Sequence, residues 1–305
     1  MYTRTLSDRA FKHTVIRHAG WCLGLAMAAA LSASPARAIA SDSVGLKVFG
    51  LTADQRLVKF RSDRPRRLQN IGPIAGLNSV DTALVGIDFR VQDGKLYGLG
   101  NGGGIYTIDT RTGVAQPSQL VPQLTVPLVG TFFGVDFNPA ANALRIISDT
   151  GQNLRQPFPT LVPGVPPVPA PTAVDAPLVY PFPAPATPGL GVTGAAYTNN
   201  DLDPSTATTL FDIDSQRNQV VIQSPPNQGE LTLTGSLTVD PDASVGFDIY
   251  SRLKNGATFS NTAFASLMVG GKSRFYSVRL LTGRAFPIGG AFPVPMADIA
   301  VALQQ

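Results

Sequence analysis

Past residue 38 the chain has no histidine, cysteine or tryptophan, and its single glutamate is Glu230. Each absence removes a chemistry. Without His or Cys there is no Ser-His-Asp or Cys-His triad. Without imidazole or thiolate the usual ligands for zinc, copper and haem are missing, and no disulfide can staple the fold. The lack of Trp weakens quinone-cofactor chemistry and the common stacking platform for sugars. Charge is scarce as well, at 14% of 305 residues.

Both histidines (His13, His18), Trp21 and Cys22 lie in the first 38 residues. There Arg4, Arg9, Lys12 and Arg17 stand against Asp8, an apolar run covers 21–31, and Ala36-Arg37-Ala38 supplies a small-x-small site. This pattern predicts a secretory signal peptide over 1–38, cleaved after Ala38 or Ala40. Eleven apolar residues are too few to span a bilayer, so no membrane-spanning segment is expected after cleavage. Five of the 24 basic residues and one of the 20 acidic ones fall in the leader, leaving 19 of each. The formal charge of +4 therefore belongs to the leader and gives no reason to expect nucleic-acid binding. The expected product is a monomer in the periplasm or the medium.

What the remainder does have is glycine and proline, 30 and 26 in the whole chain. A Gly-apolar-Asp-apolar tetrad occurs at Gly86, Gly134 and Gly246, with a degenerate copy at Gly194 and a closing Met296-Ala-Asp-Ile. Successive spacings are 48, 60, 52 and 50 residues. Second strands are predicted at 95–100, 143–149, 209–214 and 262–267, with a counterpart at 47–52. Third strands are read at 57–63, 105–113 and 275–283, and fourth elements at 68–72, 231–235 and 286–290. Each alternates apolar with small or polar residues between turn formers. Four short strands per ~50 residues, repeated five times, predict an all-β fold: one β-propeller over 45–305 with five four-stranded blades. The chain starts on a second-strand element and ends on a first-strand one, so 296–301 should pair beside 47–52 and remove an open edge.

One region breaks the period. Residues 157–190 hold twelve prolines, which preclude central strands and predict a loop insertion in the third blade.

Two sets of residues are candidates for a site. Asp88, Asp136, Asp248 and Asp298 recur once per blade, with Ala196 at the vacant place. Converging carboxylates could hold a hard cation such as Ca²⁺. The stronger expectation is structural, each Asp accepting backbone N–H bonds at a blade junction. The second set lies in 134–155: Arg145, Asp149, Gln152, Asn153 and Arg155 offer donors suited to a carboxylate or sugar. Arg145 stands where other repeats carry Phe49 and Tyr97, so it should be buried, and a channel aspartate is the partner expected for it. The Asx-rich stretch 199–208 lacks the Gly and Glu of an EF-hand and reads as a turn.

At 97–113, 134–155, 194–200 and 208–214 the chain resembles a family of bacterial exported proteins classed as a domain of unknown function with β-propeller-like repeats. The resemblance covers about 45–303. It implies the propeller and, having no assigned chemistry, transfers no catalytic residue. The Pro-rich stretch departs from the pattern. The leading expectation is a non-enzymatic binding or scaffold protein of the cell envelope, recognising a protein, glycan or envelope component, with no cofactor. The alternative is a propeller hydrolase or lactonase using Asp carboxylates or a bound divalent cation.

Overall fold

The computed structural model describes residues 45–161 and 163–304. The expected signal peptide, 1–38, lies outside the described residues. The architecture is five four-stranded antiparallel sheets, each a blade running from an inner strand to an outer one. Blade 1 is Met296–Val301, Lys47–Thr52, Arg56–Arg61 and Arg64–Pro73. Blade 2 is Leu84–Arg90, Lys95–Gly100, Ile105–Ile108 and Ala115–Pro117. Blade 3 is Phe133–Asn138, Ala143–Ser148, Asn153–Pro157 and Ala173–Val174. Blade 4 is Val192–Tyr197, Leu210–Asp214, Gln219–Gln223 and Leu231–Ser236. Blade 5 is Pro241–Lys254, Ala257–Val269, Lys272–Val278 and Ala285–Pro287. The expected closure is present: Val48 pairs with Val301 and Gly50 with Ile299, so the first and last strands of the described residues both belong to blade 1. Among the described residues no helix is long and apolar enough to cross a membrane.

The tetrad explains why the inner strands form a tight ring. A Cβ on Gly86 would lie 2.6 Å from Val135, and one on Gly134 would lie 2.7 Å from the backbone nitrogen of Ala195. On Gly194 it would meet Val245 at 2.9 Å, and on Gly246 the Cα of Asp298 at 2.7 Å. In each case the obstacle belongs to the inner strand of the next blade. The repeated glycine is thus the position where neighbouring blades approach too closely for a side chain. Apolar residues of the inner, second and third strands fill the junctions. Phe49, Ile87 and Ile108 pack between blades 1 and 2, Val135, Ile146 and Leu154 between 2 and 3, and Ile147, Val192 and Val221 between 3 and 4.

The Pro-rich region differs from the single loop expected. Its first part links the third strand of blade 3 to a two-residue outer strand, Ala173–Val174. Its second part carries a separate two-stranded ribbon, Val179–Tyr180 with Thr187–Pro188. The prolines keep to edges, as a residue without an N–H must. The Asx-rich turn also has a structural task. Asp201 accepts the backbone N–H and the hydroxyl of Thr258 at 2.9 and 2.6 Å, holding the tip of the long blade 5 hairpin.

Candidate functional site

The four tetrad aspartates are all buried and form clasps between blades. Asp298 accepts from Ile87 N–H at 2.8 Å, across the junction from blade 1 to blade 2. Asp88 accepts from Phe137 N–H at 2.7 Å, from blade 2 to blade 3. Asp136 accepts from Tyr197 N–H at 2.9 Å, and Asp248 from Val301 N–H at 2.5 Å. Asp88, Asp248 and Asp298 use their other oxygen on the N–H of the following residue, at 2.6, 2.5 and 2.8 Å. Ala196 leaves the junction between blades 4 and 5 without such a clasp.

These carboxylates also converge. Asp88, Asp136 and Asp248 each bring one oxygen to within 4.8 Å of the others. Burial, then the charge of neighbouring ring members, pushes Asp88 and Asp136 well above the ordinary carboxylate range. Burial does the same to Asp298 and pushes Asp248 up to about 6. The backbone donors act in the opposite direction, favouring the charged form, and desolvation outweighs them. Chemically such a ring can share protons, or three of its members can offer oxygens to a hard cation.

The residues of 145–155 divide into two groups. Arg145 is 2% exposed and pairs with Asp175 at 2.8 Å. Its partner is therefore in the Pro-rich region, and the expectation of a channel aspartate is corrected. Asn153 accepts from Arg145 at 2.6 Å and donates to the carbonyls of Ala176 and Pro226. Asn227 accepts a further Arg145 bond at 2.9 Å, and Arg155 reaches the same Asp175 at 3.3 Å. Together these side chains hold the outer part of blade 3 against a turn of blade 4.

Asp149 and Gln152 point elsewhere. Asp149 accepts from Thr131 N–H at 2.9 Å, and Gln152 accepts from Val129 N–H and donates to the Pro127 carbonyl. Both order the loop before blade 3. Asp149 also lines an open pocket of about 570 Å³ with Phe132, Leu190, Gln216 and Asp240. Of the five candidates it is the one that does so.

One residue escaped the sequence reading. Asp212 is fully buried, and neither of its carboxylate oxygens finds a hydrogen-bond donor among the described residues. Burial raises its pKa well above the usual value, and the charge of Arg145 pulls the other way. The signal was available: Asp212 occupies the place taken by Gly50, Gly98 and Ala265 in other repeats.

Inner strands meeting over close-approach glycines and carboxylate clasps, with the last strand completing the first sheet, define a closed five-bladed β-propeller. The chain belongs to the DUF4394 family, a domain of unknown function, whose model matches residues 56–300. No curated protein matches the chain. Among solved structures it is similar to a symmetrical protein studied for its de novo evolutionary emergence, with TM-score 0.45 and 13% identity, covering 85% of this chain and 100% of that one. An auxiliary nutrient binding protein from Bacteroides ovatus gives TM-score 0.38 and 11% identity, covering 75% of this chain and 55% of the other. A protein of unknown function from Bacteroides thetaiotaomicron gives 0.42 and 12%, covering 87% and 66%.

Proposed function

We propose that the chain is an exported propeller that binds or scaffolds a component of the cell envelope, using its loops and blade junctions rather than catalysis. The observation that supports this best is the employment of the ring carboxylates. Asp88, Asp136, Asp248 and Asp298 each accept a backbone N–H from the next blade, a structural role at four of the five junctions. Residues 39–305 contain no His or Cys to replace them in acid–base or nucleophilic work. The basic, then apolar, leader supports export to the periplasm or medium. The test is expression of the whole chain in a Gram-negative host, followed by fractionation, N-terminal sequencing and in-cell cross-linking. A mature form starting at residue 39 or 41, cross-linked to one envelope component, is the expected result. Retention of residues 1–38 in the cytoplasm would overturn the reading.

A second reading, a hydrolase or lactonase built on a cation, is favoured by one feature: the approach of Asp88, Asp136 and Asp248 within 4.8 Å. Its test is thermal melting with Ca²⁺, Mg²⁺ and chelator, since a ligand specific to the folded state raises the melting temperature. A Ca²⁺-dependent rise that disappears in Asp136→Asn would replace the first reading with this one.

A further inference from the structure

In four of the five blades the outer strand carries no charge. Ala115–Pro117, Ala173–Val174, Leu231–Ser236 and Ala285–Pro287 contain neither a basic nor an acidic residue. Blade 1 departs from them. Its outer strand, Arg64–Pro73, runs for ten residues where the others have two to six, and it holds Arg64, Arg66 and Arg67. The neighbouring strand adds Arg56, Lys59 and Arg61. Register ties the two into one basic strip, with Arg61 opposite Arg64, Lys59 opposite Gln69 and Arg56 opposite Pro73. At about 3.3 Å per residue the strip is roughly 30 Å long. Charge on an edge strand guards against sheet-to-sheet pairing. That need does not account for the strip, because Leu231–Ser236 is also the last strand of its sheet and carries no charge.

Six of the 19 basic residues beyond residue 38 thus fall within 56–67, with one of the 19 acidic ones, Asp63. That leaves 13 basic against 18 acidic residues in the rest of 39–305, so positive charge is concentrated on one blade. Little of it is neutralised locally. Asp63 serves both Arg61 at 3.3 Å and Arg64 at 3.4 Å, and those two side chains are 59% and 61% exposed. Arg56 donates to the Asn70 side-chain oxygen at 3.1 Å. Lys59, Arg66 and Arg67 form no ion pair among the described residues. Gly290 leaves room for the Arg66 stem, since a Cβ there would lie 3.0 Å from Arg66 Cδ.

The surroundings of these cations narrow the partner. The strands of blade 1 expose no large apolar side chain among the described residues, so they offer nothing to enter a bilayer. Their aromatic rings, Phe49 and Phe60, are 5% and 3% exposed, so neither can stack on a nucleic-acid base. Five of the six cations are arginines, whose planar fork matches a carboxylate, sulfate or phosphate group. We propose that the strip binds an acidic polysaccharide laid along the outer edge of blade 1, its anionic groups paired with Lys59, Arg66 and Arg67. This names a partner class for the binding-protein reading and rests on it.

The test is isothermal titration of the purified chain with a heparin oligosaccharide as the acidic glycan. Neutral dextran, phosphatidylglycerol vesicles and a single-stranded oligonucleotide serve as comparison ligands. The expected result is heparin binding that weakens as salt rises, as ion release requires, with no binding of dextran and weaker binding of vesicles and oligonucleotide. Arg66→Gln with Arg67→Gln should weaken heparin binding at least fivefold at an unchanged melting temperature, and Lys59→Gln alone should weaken it in the same direction. Lys254→Gln, at the tip of the blade 5 hairpin, should leave it unchanged. Three results would overturn the proposal: no heparin binding at low salt, equal or tighter binding of vesicles or oligonucleotide, or less than fivefold loss in the folded double variant. In each case in-cell cross-linking to an envelope component would still stand, so loss of this site is distinguishable from loss of the wider reading.

Discussion

Asp136 illustrates how a residue can look like a cation ligand and serve as a clasp. Its carboxylate is the acceptor that Tyr197 N–H finds at the junction of blades 3 and 4. Asp136→Ala strands that donor, and the expected loss is about 1–3 kcal/mol of unfolding free energy, read from urea denaturation. Asp248 adds a pH dependence with a definite sign. Burial lifts its pKa from 3.8 to about 6, so between those values the folded chain holds a proton that the unfolded chain has released. Stability from this group is fully present below about pH 4 and declines as pH rises through about 6. Asp88, Asp136 and Asp298 shift in the same direction and act in the same sense. Melting temperature measured from pH 4 to pH 7 should therefore fall, and Asp248→Asn should flatten that slope.

At the scale of elements, the informative case is the third strand of blade 3. Asn153–Pro157 is a buried strand whose polar side chains gave it the look of a recognition turn. Alternation is a strand signal only where the inward face is apolar, and here the inward face is a polar network. The tetrads and second strands were legible because glycine, aspartate and apolar residues recur there for one reason, the contact between blades. The outer strands Ala115–Pro117 and Ala173–Val174 were not, since two or three residues carry no period. Nor could the partner of Arg145 be read, because Asp175 lies thirty residues away amid prolines and only the folded register brings them together. That pair yields a test. Arg145→Met should cost toward the lower end of about 3–5 kcal/mol, because Arg155 still reaches Asp175. It should also open 158–190 to limited proteolysis. Arg145→Met with Asp175→Asn should recover most of the stability, since no buried charge is then left alone.

For the propeller as a whole, the decisive contact is between its first and last described strands. Val48 pairs with Val301 and Phe49 with Ala300, so blade 1 exists only when both are in place. Removing residues 296–305 takes away that inner strand and the Asp298 clasp on Ile87. The truncated chain should aggregate, as seen by light scattering, because the strand at Lys47–Thr52 becomes an apolar sheet edge. The same closure also sets the timing of folding. A contact spanning roughly 250 residues is costly in chain entropy and slow to form, and it cannot be made until the final strand has left the ribosome. Until then the nascent polypeptide lacks a complete first sheet and stays open. On the export route proposed above, such an unclosed chain is what a translocation pore would pass, and the strand Met296–Val301 is what would then lock it shut.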